Sequence, residues 1–254
     1  MAVDRFSLQD KVAIITGASR GIGRAIALGF AEAGARVVLS SRKQADLDKV
    51  AAEIAGAGGK AEVIPAHMGK KEDIERLVDL TLDRCGRIDV LVNNAGTNPV
   101  FGPLMDASLE VWDKIMDVNL RGYFLCAQRA GKAMAERKQG AIINVSSTGG
   151  IRVSPGLGVY CVSKAGVIML TKVLASELGP FGVRVNCIAP GLIVTKFSEA
   201  LWQNPEIRSR VEETSPLHRL GEADELVGTA IYLASDAASY VTGEILPVCG
   251  GMLV

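Results

Sequence analysis

Val12-Ala13-Ile14-Ile15-Thr16-Gly17-Ala18-Ser19-Arg20-Gly21-Ile22-Gly23 is the run on which the fold turns. Its first half is an apolar segment of strand length, and its second half is a glycine cluster that opens a helical pattern running to Ala33. A chain that leaves a strand and enters a helix across glycines turns tightly and presents backbone amides at the positive end of that helix. The spacing Gly-x-x-x-Gly-x-Gly departs from the Gly-x-Gly-x-x-Gly fingerprint. Its place at the first strand-to-helix junction still predicts a dinucleotide pyrophosphate site, with a plain tight turn as the competing reading.

The alternation continues outward. Runs rich in Val and Ile recur at Ala35 to Ser40, Ala61 to Ala66, Ile88 to Val92, Ala141 to Val145, Val183 to Ile188 and Glu244 to Val248. Helical patterns lie between them at Gln44 to Ala55, Lys71 to Arg84, Leu109 to Arg137, Val159 to Leu178 and Ala223 to Ala234. Strand alternating with helix predicts an α/β fold, a mostly parallel sheet with helices on both faces. No composition shift or linker divides the 254 residues, so one domain, 1–254, is expected.

Lys plus Arg equals Asp plus Glu, 28 each, so no global field draws the chain to nucleic acid or acidic lipid. Five scattered cysteines without Cys-x-x-Cys favour buried thiols in a reducing compartment, and no metal site is expected. Met1 to Asp10 carry charges and no long apolar run, so no secretory leader is expected. No stretch reads as long and apolar enough to span a bilayer.

The stretch Ser147 to Lys164 carries the candidate chemistry. Tyr160 and Lys164, four residues apart on a helix, share a face. A phenol titrates near 10, too high for proton transfer near neutrality, and a fixed ammonium beside it favours the phenolate. Ser147, in the loop before, can hydrogen-bond a substrate oxygen. The competing reading is a packed ring and a solvated ammonium.

Thr16 to Gly23, Asn93-Asn94-Ala95-Gly96, Asn119, Ser147, Tyr160, Lys164 and Pro190-Gly191 together resemble the motif set of the short-chain dehydrogenase/reductase family. They stand in the family's order and cover nearly the whole chain. The resemblance implies a single-domain Rossmann fold with a seven-stranded sheet, and hydride transfer between a nicotinamide and a carbonyl or alcohol. It makes Tyr160 the acid/base, with Lys164 lowering its pKa and holding the nicotinamide ribose. Ser147 binds the reacting oxygen, and Asn119 holds a water linking Lys164 to solvent. For the cofactor it implies Gly17, Ser19, Arg20, Gly21, Ile22 and Gly23 at the pyrophosphate, Asn94, Ala95 and Gly96 at the adenosine side, and Pro190, Gly191, Ile193 and Thr195 at the nicotinamide. Ser40 to Gln44, His67 to Lys70 and Asn98 to Gly102 resemble one branch, the NADP-dependent carbonyl and retinal reductases called dehydrogenase/reductase family member four.

At the end of the second strand an acidic residue would bond the ribose 2′-hydroxyl and select NAD. Here that place holds Ser41 followed by Arg42, with Arg20 facing the same pocket. Two guanidiniums suit a 2′-phosphate, so NADP is expected over NAD. The family's adenine-reading Asp is replaced by His67, followed by Met68. A neutral His67 accepts the adenine amino proton in only one tautomer.

The loops after the fourth, fifth and sixth strands offer Phe101, Ile151, Val153, Leu192, Phe197 and Trp202, an apolar lining suited to a hydrophobic ketone or aldehyde. Leu192 to Pro216 resembles the family's substrate lid. The apolar surroundings of Tyr123, Phe124, Leu125, Val167, Ile168 and Leu170 exceed what one packed face needs. They fall where the family pairs its subunits, and a homotetramer is expected. The branch is often peroxisomal, but Gly251-Met252-Leu253-Val254 lacks the Ser-Lys-Leu type of address, so a cytoplasmic location is expected. Two alternatives stand beside the reductase: a 3-ketoacyl-(acyl-carrier-protein) reductase, which would want a basic patch for its carrier, and an NADP-binding regulator without turnover.

Overall fold

A computed structural model describes residues 3–254. Met1 and Ala2, part of the stretch read as lacking a secretory leader, lie outside the described residues. The strands are β1 (Val12–Thr16), β2 (Arg36–Ser40), β3 (Lys60–Val63), β4 (Val90–Asn93), β5 (Gly140–Val145), β6 (Val183–Pro190), the two-residue strands β7 (Ile193–Val194) and β8 (Gly221–Glu222), and β9 (Ile245–Val248). Seven of them form one sheet in the order β3-β2-β1-β4-β5-β6-β9, and β7 pairs with β8 apart from it. Every pairing is parallel. The architecture is the expected α/β Rossmann fold, and the strand order reverses between β1 and β4, where such sheets open a crevice beyond their carboxyl ends.

β1 is buried along its whole length because successive side chains feed opposite cores. Ala13 and Ile15 join Val37, Leu39, Val90 and Val92 under α1 (Gly21–Glu32) and α2 (Gln44–Gly56). Val12 and Ile14 join Val38 and Leu91 under α3 (Lys71–Cys85). The stretch read as one helix, Leu109 to Arg137, is three pieces. They are α4 (Leu109–Met116), a wide π-type turn (Asp117–Arg121) and α5 (Gly122–Glu136), with Gly122 N–H reaching back to Asp117 O. Such turns displace one residue from the helical register, and here that residue is the buried Asn119.

Next comes α6 (Gly158–Leu178), then α7 (Glu199–Trp202) and α8 (Pro205–Thr214), which neither periodicity nor composition foretold, and α9 (Val227–Ala234). α9 starts later than expected because Ala223–Leu226 winds as a tighter 3-10 turn. The reading that no stretch could span a bilayer fails on composition alone. Gly158–Phe181, 24 residues of mean hydropathy 1.4, is long and apolar enough. Part of its apolarity serves the core, since Val167, Leu174 and Ala175 are buried against the sheet. The apolar face assigned to a partner is also partly interior: Tyr123 and Val167 are buried, whereas Phe124, Val162, Met169 and Val173 are exposed.

Candidate active site

The site is built where β1, β4 and β5 end. Gly17 has φ +69°, and a Cβ there would stand 2.8 Å from Asn94 Nδ2. Gly21 has φ +54° and faces Thr195, while a Cβ at Gly23 would overlap Gly17 O. These close approaches explain why only glycine serves at the turn. The N-terminus of α1 carries no side-chain cap and no acidic residue in its first turn. Its orphan amides and positive dipole end are thus left for a ligand anion, and the turn fits a pyrophosphate. Ser19 and Ile22 lie along this turn, partly exposed.

The Asn94 side chain, expected at the adenosine side, points to the glycine turn. Its Nδ2 donates to Thr16 O at 2.9 Å, and its backbone N–H and that of Ala95 both donate to Thr16 Oγ1, at 2.9 and 3.1 Å. Asn94 therefore braces the glycine turn. At the end of β2, Arg42 is exposed beside the partly exposed Ser41, and Arg20 is exposed within the turn. Arg24 is held by Glu53 at 2.7 Å, but Arg20 and Arg42 join no ion pair among the described residues. The chain after β3 lies alongside, with Ala66 N–H donating to Ser41 O at 3.0 Å. His67 Nδ1 accepts from Gly69 N–H at 3.0 Å, so the neutral ring carries its proton on Nε2. A donor there cannot accept the adenine amino proton, so the one tautomer that would allow that pairing is not the one present. Met68 and Ile193 are also turned inward, into the two cores.

Gly96, Asn119, Ser147, Tyr160 and Lys164 converge. A Cβ at Gly96 would lie 3.7 Å from Asn119 Oδ1 and 4.0 Å from Lys164 Nζ. Asn119 Oδ1 accepts from Thr97 N–H at 2.8 Å, and its Nδ2 donates to Thr97 O at 3.0 Å and Ser163 Oγ at 3.1 Å. Both amide donors are spent, so only the oxygen's second lone pair is left for the expected water. Ser147 caps the turn that follows β5, accepting from Gly149 N–H at 3.0 Å, and its hydroxyl stands near enough to the Tyr160 phenol to draw that phenol's pKa down. Phe197 tilts against Tyr160 with ring centroids 6.1 Å apart. Pro190 and Gly191 end β6, where Gly191 N–H donates to Val248 O at 3.0 Å.

Lys164 is buried, and its Nζ donates to Val145 O at 2.7 Å and to Tyr123 Oη at 3.4 Å. The expected lowering of the Tyr160 pKa is not seen. Burial pushes that phenol up to about 12, with Ser147 pulling it back. Burial also pushes the Lys164 ammonium down to about 8. The reason is geometric: the ammonium is engaged with the Val145 carbonyl and lies 5.7 Å from the Tyr160 ring centroid.

A family model described as enoyl-(acyl carrier protein) reductase matches residues 17–253. The chain is 45% identical over 247 residues to dehydrogenase/reductase SDR family member 4 of Pongo abelii, spanning 97% of this chain and 89% of that protein. It is 42% identical over 243 residues to the mitochondrial dehydrogenase/reductase SDR family member 2 of Homo sapiens, spanning 96% and 86%. The chain belongs to the short-chain dehydrogenase/reductase family. A solved short-chain dehydrogenase/reductase from Mycobacterium marinum shares 40% identity over 100% of this chain and 99% of its own, with TM-score 0.94. Gluconate 5-dehydrogenase from Burkholderia cenocepacia, solved with NADP and tartrate, shares 35% identity over 99% and 98%, with TM-score 0.96. As a short-chain dehydrogenase/reductase the protein is a nicotinamide-dependent oxidoreductase, in keeping with its open helix N-terminus at the glycine turn.

Three groups of this site escaped the sequence reading: Tyr123, the Val145 carbonyl and Ser163. Tyr123 had a signal, a phenol amid apolar helix neighbours, but it pointed equally to an interface. The other two are visible only once distant segments meet.

Proposed function

We propose that this short-chain dehydrogenase/reductase reduces an apolar ketone or aldehyde with NADPH, or runs the reverse oxidation, with Tyr160 as acid and base. One observation carries the reading: Ser147 neighbours the Tyr160 phenol, and the Lys164 ammonium lies 5.7 Å from the Tyr160 ring centroid, beyond the end of β5. Bound, the nicotinamide supplies the hydride. Ser147 and Tyr160 both offer hydroxyls to the carbonyl oxygen, and Tyr160 delivers its proton as negative charge develops there. Lys164, charged at neutral pH, stabilises the tyrosinate left behind once its ammonium leaves the Val145 carbonyl for the groove. Arg20 and Arg42 favour the 2′-phosphate of NADP. At about 1.5–3 kcal/mol per charged hydrogen bond they give a preference of roughly 10²–10⁴ over NAD before solvent screening. Exposed Phe101 against Gly156, with Ile151, Val153 and Phe197, supplies an apolar entrance.

Purified protein mixed with NADPH and a panel of apolar ketones tests the proposal by the loss of reduced-nicotinamide absorbance. Binding of NADPH without turnover on any ketone would make the protein a regulator. Reduction of a carrier-bound 3-ketoacyl chain but no free ketone would favour the acyl-carrier reading, with which the family model's description shares the acyl carrier but not the carbonyl substrate. Against that reading, Arg121 pairs with Asp117 at 3.1 Å and Arg129 with Asp79 at 2.6 Å, so these cations form no free basic patch. Assembly as a homotetramer is supported by the exposed apolar face of α5 and α6. A cytoplasmic location is supported by five unbridged cysteines, which suit a reducing compartment.

A further inference from the structure

Between α5 and α6 lies a second phenol that the reaction above does not use. Tyr123 is 1% exposed, and its Oη donates to Val145 O at 3.2 Å. Lys164 Nζ donates to the same carbonyl at 2.7 Å and to Tyr123 Oη at 3.4 Å. The ammonium sits 5.1 Å from the Tyr123 ring centroid and 5.7 Å from that of Tyr160. It therefore lies near both rings, with Val145 O and Tyr123 Oη as its two oxygen acceptors. Asn93 fixes this arrangement from below, its Nδ2 donating to Tyr123 O at 3.3 Å and to Asn144 Oδ1 at 3.0 Å.

We propose that Tyr123 is a positioning residue for Lys164: its hydroxyl is the second acceptor that keeps the ammonium charged in the core and holds it on the path between the Val145 carbonyl and the groove. The proposal rests on the reading of Lys164 as the charge that serves Tyr160. The titratable groups facing the ammonium are Tyr123 on α5, Tyr160 on its own helix and Cys187 on β6, with Cys126 behind Tyr123 and Cys161 beside Tyr160. No carboxylate pairs with Lys164 among the described residues. A phenol suits the task because it accepts a hydrogen bond without a countercharge. An ammonium held by a carbonyl and a neutral hydroxyl remains free to leave, whereas a carboxylate would trap it. Burial raises the Tyr123 pKa well above its ordinary value, which keeps that phenol neutral.

The test uses cofactor-free protein with lysine carbon-13 labelled at Cε, the Lys164 resonance being identified by its absence from Lys164→Met. Tyr123→Phe should lower the titration midpoint of that resonance by about one pH unit, the scale of a weak charged hydrogen bond. Tyr123→Met, which also lacks the hydroxyl, should shift it equally. Unmoved midpoints in both variants would overturn the proposal. In ketone reduction, the alkaline limb of the kcat–pH profile should move with the resonance while KM for NADPH changes little. A shifted resonance with an unshifted limb would leave the positioning intact and overturn instead the use of the Lys164 charge in turnover.

Discussion

Burial works against both members of the Tyr160 and Lys164 pair, and that opposition governs what each substitution does. Tyr160→Phe removes the proton path and keeps the ring. NADPH affinity by fluorescence titration should stay within about twofold while kcat falls by roughly 10²–10⁴. Lys164→Met exchanges a buried ammonium for an apolar side chain of similar length, and Val145 O keeps Tyr123 as a partner. The ammonium's pKa falls from 10.5 to about 8 on folding, so at pH 7, charged in both states, it costs up to roughly 3 kcal/mol. Lys164→Met should therefore lose turnover yet resist urea better at pH 7. As pH rises from about 8 to 10.5 the folded state sheds that proton first, the unfolded chain binds more protons, and the parent gains stability. The advantage of the methionine variant should narrow over that window. Above pH 10 Tyr160, with its pKa raised to about 12, acts oppositely in parent and variant alike, since its folded form keeps a proton the unfolded chain has released.

The glycine turn and the start of α1 act as a unit, a tight path that leaves helix amides uncapped. Gly23→Ala places a methyl against Gly17 O and the Asn94 amide, backbone and brace together. Overpacking of this kind costs about 1–3 kcal/mol. The variant should melt several degrees lower and bind NADPH weakly, both readable from thermal shift with and without the nucleotide. The cationic end of β2 is separable from that turn. Arg42→Asp should leave the melting temperature nearly unchanged and lower the NADPH-to-NADH ratio of kcat/KM by about tenfold or more. An unchanged ratio would remove the argument for NADP.

For the whole molecule, the outward side of α5 and α6 leaves apolar side chains unpacked. Phe124 at 41% exposure and Met169 at 59% stand among other apolar side chains on helices whose inward faces are already packed. A helix with two apolar faces asks for two partners. Light scattering should find the protein as a tetramer, and Phe124→Asp with Met169→Asp should yield smaller species that retain the fold by circular dichroism.

The alternation of strands and helices, the parallel sheet and the glycine turn were legible in the amino-acid sequence, because each is written in local periodicity or fixed spacing, while Ser147, Tyr160 and Lys164 stand out together through the family resemblance. The direction in which the key side chains point was not. Asn94 turned to brace the glycine turn, Met68 and Ile193 turned to the cores, and Asn119 came inward on a π-type turn that no helical period reveals. The ammonium of Lys164 found the Val145 carbonyl and Tyr123, so burial raised the Tyr160 pKa where spacing alone predicted a fall. Spacing specifies which groups share a helix face. Desolvation and hydrogen-bond partners come from segments far away in the chain, and only tertiary packing supplies them.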